Sequence, residues 1–146
     1  MPHLSAPAAM VTGTWIRVVA AALCLAVSCI HVQDQGGIPG DKTPHYVGIG
    51  YYLLEAAGVA CAALLLLTLR FRSWNAPWWL AMGVALGPLV GYILSRGPGL
   101  PDYSDDRGNW TEPLGLISLT VEASLLVAAV AGVFAPGSAS PRQGES

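Results

Sequence analysis

Four long apolar runs dominate this chain and limit what it can fold into. A membrane-spanning helix needs about 20 mostly apolar residues, and four stretches of the sequence meet this requirement. They cover, approximately, residues 14–32, 46–69, 76–95 and 114–135. We therefore predict an all-α fold, an integral membrane four-helix bundle in which successive helices are antiparallel.

The composition supports the membrane class for the whole chain. Of its 146 residues, 53% are hydrophobic and 11% are charged, and the mean hydropathy is +0.53. Soluble domains carry about a quarter charged residues, so this chain lacks the residues for a water-facing surface. The net charge of −2 offers no basic surface for nucleic acid. We expect one membrane domain over residues 1–146, with flexible tails at 1–13 and 136–146.

Basic residues set the predicted orientation. The short connection between the second and third spans, "RFRSWN", holds Arg70 and Arg72. The positive-inside rule places such a connection on the cytoplasmic side, and Arg17 at the start of the first span then lies inside as well. Both termini are therefore predicted to be cytoplasmic, and the longer loops at 33–45 and 96–113 are predicted to face outside.

A row of glycines marks the third span. Gly83, Gly87 and Gly91 recur every four residues and therefore lie on one helical face. Small residues allow membrane helices to approach closely. We interpret the row as a packing seam between helices, or as the face that meets a partner in a homo- or hetero-oligomer.

Small and polar residues form stripes on the other three spans. Their spacing of three or four places each stripe on one helical face. The stripes comprise Arg17, Ala21, Cys24, Ser28 and His31 on the first span, Tyr51, Tyr52, Glu55, Gly58 and Ala62 on the second, and Gly115, Ser118, Glu122 and Ala129 on the fourth. We expect these faces to converge in the interior of the bundle.

Two carboxyl residues, Glu55 and Glu122, stand inside apolar spans. Each lies eight or nine residues from the outer start of its helix, which places both roughly 12–14 Å below the outer boundary at a rise of 1.5 Å per residue. Charged residues at such depth normally face a bundle interior or an aqueous cavity. Two interpretations stay open: the carboxyls face each other and share one proton or one cation, or each is protonated and bonds a neighbouring helix.

Hydroxyl side chains lie one helical turn outward from these carboxyls. Tyr51 or Tyr52 is placed to hydrogen-bond Glu55, and Ser118 is placed to hydrogen-bond Glu122. We predict that these hydroxyls belong to the same polar site as the two carboxyls.

Residues at the predicted outer surface complete the candidate site. His31, His45 and Asp34 offer nitrogen and oxygen ligands to a divalent metal, although their spacing matches no known metal motif. Arg96 either neutralises acidic residues of the outer loops or clamps an anionic group with its planar guanidinium. The three cysteines lack metal-type spacing, and we expect no cofactor.

One segment resembles a known family. "GYILSRGPGLPDYSDDRGNWTEPLGLISLTVEASLL" is similar to small four-helix integral membrane proteins of high-GC Gram-positive bacteria, whose pattern is GYxxSRxxGLP, a loop, WxEPLG and a Glu within the last span. The resemblance implies a multi-pass protein of the bacterial cytoplasmic membrane and identifies no activity. It also implies that Arg96, Trp110, Glu112 and Glu122 belong to one outward-facing unit.

Three functional hypotheses follow from these patterns. The first is an outward-facing polar pocket, lined by Glu55, Glu122, Tyr51, His31 and Arg96, that binds a cation or small polar ligand for sensing or transport. The second is an intramembrane isomerase or cyclase in which Glu55 and Glu122 act as an acid–base pair on a lipophilic substrate. The third is an accessory or assembly subunit of a membrane complex. The lipid bilayer is a partner in all three.

Overall fold

The part of the chain that the structure describes forms four helices and their connections. A computed structural model describes residues 6–69 and 74–134, with side chains from residue 13 onward. The helices are α1 (Ala6–Asp34), α2 (His45–Leu67), α3 (Ala76–Arg96) and α4 (Pro113–Phe134). Each is long and apolar enough to cross a membrane. The prediction of an all-α chain with four such helices is therefore confirmed.

The limits of the helices differ from the predicted spans mainly at the N-terminus. Residues 6–12 are helical and do not form the predicted flexible tail, because the stretch "APAAM" is rich in alanine, the strongest helix former. The segment 70–73, with both arginines that set the predicted orientation, and the tail 136–146 lie outside the described residues.

Contacts between helix ends show that neighbouring helices run in opposite directions. Arg17, near the start of α1, donates to Thr68 just beyond the end of α2, at 3.0 Å. Trp78, near the start of α3, lies against Gly132 near the end of α4. At the opposite end of the bundle, the Tyr46 hydroxyl donates to the carbonyl oxygen of Pro101 at 2.6 Å. This bond joins α2 to the connection between α3 and α4.

The predicted stripes of α1 and α4 face the interior. All five stripe residues of α1 are buried, and so are the four of α4. On α2, Glu55, Gly58 and Ala62 are buried, whereas Tyr51 is half-buried and Tyr52 is exposed. The stripes therefore identified the interior faces of three helices, apart from the outermost turn of the stripe on α2.

The glycine row of α3 does not pack against another helix within residues 6–69 and 74–134. The buried face of α3 is built instead on Ala81, Val84 and Ala85. A side-chain carbon added at Gly83, Gly87 or Gly91 would meet nothing within 4 Å. The interpretation as a seam within the bundle is therefore wrong, because alanines supply the close approach that glycines were expected to supply. A partner on this face stays a prediction.

Candidate functional site

A cavity of about 390 Å³ lies among the four helices at one end of the bundle. This end carries a first loop (residues 35–44) and a second loop (residues 97–112), which join α1 to α2 and α3 to α4. The polar residues that line the cavity from within the helices include His31, Ser118 and Glu122. Glu122 lies nine residues into α4, which corresponds to about 14 Å along the helix.

The carboxyl of Glu122 is buried in the cavity wall, and only one of its two oxygens has a hydrogen-bond partner among the described residues. The residue is 1% exposed. Its Oε1 accepts a hydrogen bond of 2.5 Å from the Ser118 hydroxyl, one turn away on the same helix. Among the residues that the structure describes, none bonds Oε2. Since a buried polar atom without a partner costs about 1–3 kcal/mol, this oxygen marks a place where a ligand would stabilise the protein.

His31 brings a second acceptor to the same place. Its Nδ1 lies 2.9 Å from the carbonyl oxygen of Val27, and only an N–H can donate to a carbonyl. In the neutral ring Nε2 therefore carries the lone pair. This nitrogen lies 3.9 Å from Oε1 of Glu122. We call the Glu122 carboxyl and His31 Nε2 the acceptor pair.

An aromatic ring and an ion pair stand above the acceptor pair on the α1 and α2 side. The Tyr51 ring lies 5.4 Å from the His31 ring, centre to centre, and the Tyr51 hydroxyl donates to Asp34. Asp34 also accepts from Lys42 at 3.1 Å. Tyr51 is thereby fixed with its ring against the cavity.

Arg96 organises the opposite wall of the cavity, where α3 ends. Its guanidinium lies 3.6 Å from Asp106 in the second loop and 3.4 Å from Glu112 at the start of α4. The remaining contacts of the guanidinium are the Asn109 carbonyl oxygen, the Ser95 hydroxyl and the face of the Tyr92 ring. Arg96 therefore neutralises acidic residues, as one of its two predicted roles proposes.

Glu112 and Tyr103 hold the second loop in place around Arg96. The Glu112 carboxylate accepts from the backbone N–H groups of Leu114 and Gly115, at 2.9 and 2.6 Å, and so caps the positive end of α4. The Tyr103 hydroxyl donates to Asp106 at 2.7 Å. Burial, together with this bond to an acidic group, raises the pKa of Tyr103, so the phenol stays a neutral donor.

Negative charge exceeds positive charge around the cavity. Arg96 and Lys42 are opposed by the carboxylates of Asp34, Asp106 and Glu112, before Glu122 is considered. A cleft lined by an excess of one sign attracts the opposite charge. The electrostatics therefore favour a cationic ligand.

Glu55 belongs to a different polar contact. Its Oε1 accepts a hydrogen bond of 2.7 Å from Gln35 in the first loop, and its backbone carbonyl accepts from Ser28 on α1. It does not line the cavity, and no hydrogen bond in the described part of the chain joins it to Glu122. The interpretation of Glu55 as a residue that bonds neighbouring segments fits these contacts.

Replacing Glu55 tests this structural role. Glu55→Gln keeps an oxygen that can accept from Gln35, so we expect the free energy of unfolding to change by less than about 1 kcal/mol. Glu55→Leu leaves the buried Gln35 amide unpaired and should cost about 1–3 kcal/mol. Unfolding of the detergent-solubilised variants by sodium dodecyl sulfate measures both values. Equal losses in the two variants would contradict the assignment.

The cavity brings together most of the predicted site residues and leaves four outside. Those that line it are His31, Asp34, Tyr51, Arg96, Glu112, Ser118 and Glu122. Besides Glu55, three others lie elsewhere. Tyr52 accepts from the backbone of the first loop, Trp110 packs against Tyr92 on the exposed surface, and His45, the first residue of α2, does not line the cavity.

The predicted metal site is not assembled. His31 and Asp34 reach the cavity wall, but His45 does not join them. Within residues 6–69 and 74–134, no three His, Cys, Asp or Glu side chains converge as a metal would require. The two histidines lie at different distances from the ends of their helices. His45 is the first residue of α2, whereas His31 lies about one turn before the end of α1.

Several cavity residues escaped the sequence analysis. Tyr92 and Ser95 precede Arg96 by one turn and one residue, so helical spacing could have added them to the site. Tyr103 and Asp106 come from the second loop, whose course the sequence does not reveal. Gln35 does not line the cavity, but as the buried partner of Glu55 it could not be predicted for the same reason, because it also lies in a loop.

Fold and cavity together define a class: a four-helix protein whose helices are long and apolar enough to cross a membrane, with a polar cavity at one end of the bundle. Comparisons with protein families, with curated proteins and with solved structures find no match to this chain. The resemblance to four-helix proteins of high-GC Gram-positive bacteria therefore stays a prediction.

Proposed function

We propose that this chain is a multi-pass protein of the bacterial cytoplasmic membrane, with both termini inside, whose cavity binds a small ligand through an ammonium group. One observation carries the proposal. Glu122 is buried in the cavity wall, and its Oε2 has no hydrogen-bond partner in the described part of the chain. His31 Nε2 provides the second acceptor nearby.

An ammonium group fits the acceptor pair better than a metal ion does. A primary ammonium donates up to three hydrogen bonds, and the pair offers a carboxylate and an imidazole nitrogen to receive them. Ca²⁺ requires six to eight oxygen ligands, and Mg²⁺ requires near-octahedral geometry. The nearby Tyr51 ring already interacts with a cation, because Lys42 Nζ lies 5.4 Å from the ring centre, so the ammonium group of the ligand depends on the acceptor pair.

The apolar interior beyond the cavity favours binding and sensing over transport. One turn further into α4, Leu125 is fully buried, and so are Cys24 and Val27 on α1. These side chains belong to the hydrophobic core that fills the other half of the bundle. The polar path therefore ends at Glu122 in this conformation, as expected for a receptor or capture site.

The acid–base enzyme draws less support from the geometry. That hypothesis needs Glu55 and Glu122 in one dry cavity with different environments, and of these two carboxyls only Glu122 lines the cavity. The subunit hypothesis explains neither the buried carboxyl nor the charged residues arranged above it.

The two carboxyl residues supply a matched test. We expect hexylamine to raise the unfolding temperature of the purified wild-type protein in detergent, while hexanol leaves it unchanged. Glu122→Gln should raise the dissociation constant for hexylamine roughly 10- to 100-fold, since a hydrogen bond to a charged group contributes about 1.5–3 kcal/mol. Binding is measured by titration while following the unfolding temperature.

Glu55→Gln is the control, because it makes the same chemical change outside the cavity. This variant should bind hexylamine as the wild type does. Equal responses of the Glu55→Gln and Glu122→Gln proteins, or an equal response to hexylamine and hexanol, would refute the proposed function.

A further inference from the structure

We infer that the ligand is a lipophilic amine that reaches the cavity from the bilayer, through the gap between α2 and α3. This inference rests on the proposed function and adds to it the apolar part of the ligand and its route. Three observations support it: the glycines along the gap, the loop over the end of the cavity, and the apolar walls between them.

Glycines keep the gap between α2 and α3 open. Gly50 on α2 and Gly87 and Gly91 on α3 line the cavity, and a side-chain carbon added at any of them would meet nothing within 4 Å. These two helices also pack less closely together than α1 with α2 or α3 with α4. Gly50 and Gly87 are exposed within helices of spanning length. The surface they share therefore faces hydrocarbon when the helices cross a membrane.

The second loop covers the end of the cavity that would face water. Leu100 and Tyr103 of this loop line the cavity, and Tyr103 is only 6% exposed. Tyr103 is held by Asp106, and the bond from Tyr46 to Pro101 ties the loop to α2. A ligand from water would have to displace these contacts, whereas a ligand from the bilayer would not.

Apolar side chains line the way from the gap to the acceptor pair. Val47 and Leu54 on α2 and Pro88 on α3 form this part of the cavity. A hydrocarbon chain beside them exchanges lipid contacts for protein contacts, while its amine meets Glu122 and His31. A volume of about 390 Å³ is within the range of cavities that hold small molecules. The arrangement thus selects an amine that carries an apolar body.

Chain length and a filled gap test whether the apolar body of the ligand lies in the gap that opens to the bilayer. The protein is placed in phosphatidylcholine nanodiscs and titrated with dodecylamine or methylamine at equal total concentration. Binding is measured as the difference between the rises in unfolding temperature of the wild-type and Glu122→Gln proteins. This subtraction removes the effect of amine that partitions non-specifically into the bilayer. We expect dodecylamine to bind at least tenfold more tightly than methylamine. Gly87→Leu should weaken dodecylamine binding at least tenfold.

Gly83→Leu is the matched control for the blocked gap. Gly83 lies one turn from Gly87, has equally open surroundings, and does not line the cavity. Its replacement should leave the dissociation constant for dodecylamine within about twofold of the wild-type value, because additions that lie away from a site have small effects. If Gly87→Leu does not fold, Gly50→Leu blocks the same gap from α2.

The outcomes separate the route from the site. Methylamine and dodecylamine binding equally, both lost in Glu122→Gln, would overturn access from the bilayer and leave the proposed function standing. Unchanged dodecylamine binding in the folded Gly87→Leu and Gly50→Leu proteins would do the same. A complete absence of Glu122-dependent binding, for every amine tested, would overturn both.

Discussion

Gly58→Val is expected to destabilise the bundle by more than about 3 kcal/mol, because added side-chain atoms there collide with α1. A side-chain carbon at this position would lie 2.9 Å from the carbonyl oxygen of Cys24 and closer still to the Ser28 hydroxyl. The carbonyl belongs to the helix backbone and cannot rotate away. The two helices would have to separate, which would also weaken the hydrogen bond from Ser28 to Glu55.

The free energy of unfolding, measured by titration of detergent-solubilised protein with sodium dodecyl sulfate, checks this prediction. Gly58→Ala should fall between the wild type and Gly58→Val, since it adds only the first of the colliding carbons. Gly83→Val is the control for the loss of a glycine within a spanning helix, because its surroundings are open. A Gly58→Val protein as stable as the Gly83→Val protein would show that α1 and α2 do not approach this closely.

The contrast between these glycines also explains where sequence reasoning on the fold succeeded. Stripes that mixed small and polar residues identified the interior faces of α1 and α4, because exposing a polar side chain of a spanning helix to lipid is energetically costly. On α3, the three positions interpreted as a packing seam are all glycine, although Ser95 continues the same spacing. Glycine is compatible with a close contact, with an open gap and with a lipid-facing surface, so spacing could not decide among them.

The sequence could predict those members of the candidate site that are recognised by their distance from the outer end of a helix. Four predicted residues lie in the halves of their helices nearest the two loops, and all four line the cavity: His31, Arg96, Ser118 and Glu122. Depth does not fix the rotation of each helix, so the pairing of Glu55 with Glu122 did not follow from matched depth. Glu55 faces Gln35 instead, a partner that depends on how the first loop folds back onto α2.

Arg96→Leu is expected to release the second loop and to cost about 2–4 kcal/mol of stability. Its side chain is 10% exposed, against 25% for Asp106 and 33% for Glu112. Removing one member of a largely buried ion pair leaves the others without compensation and typically costs about 3–5 kcal/mol. We set the expected value lower because water reaches both acidic partners and screens part of the interaction.

The shape of the guanidinium matters as well as its charge. Nε donates to the Asn109 carbonyl at 2.9 Å, while the two terminal nitrogens reach Ser95 and Glu112. A lysine ammonium cannot span these directions, so Arg96→Lys should recover less than half of the lost stability. Arg107→Leu provides the control. Arg107 lies in the same loop, is exposed, and takes part in none of the ion pairs found among the described residues.

Limited proteolysis of the second loop, together with the unfolding titration, distinguishes a released loop from a general loss of stability. The Arg96→Leu protein should be cleaved within residues 97–112 much faster than the wild-type or Arg107→Leu protein, under conditions where all three remain folded. Since Tyr103 of this loop covers the cavity, its release should also let methylamine reach Glu122. Equal cleavage of the Arg96→Leu and Arg107→Leu proteins would mean that Arg96 does not hold the loop over the cavity.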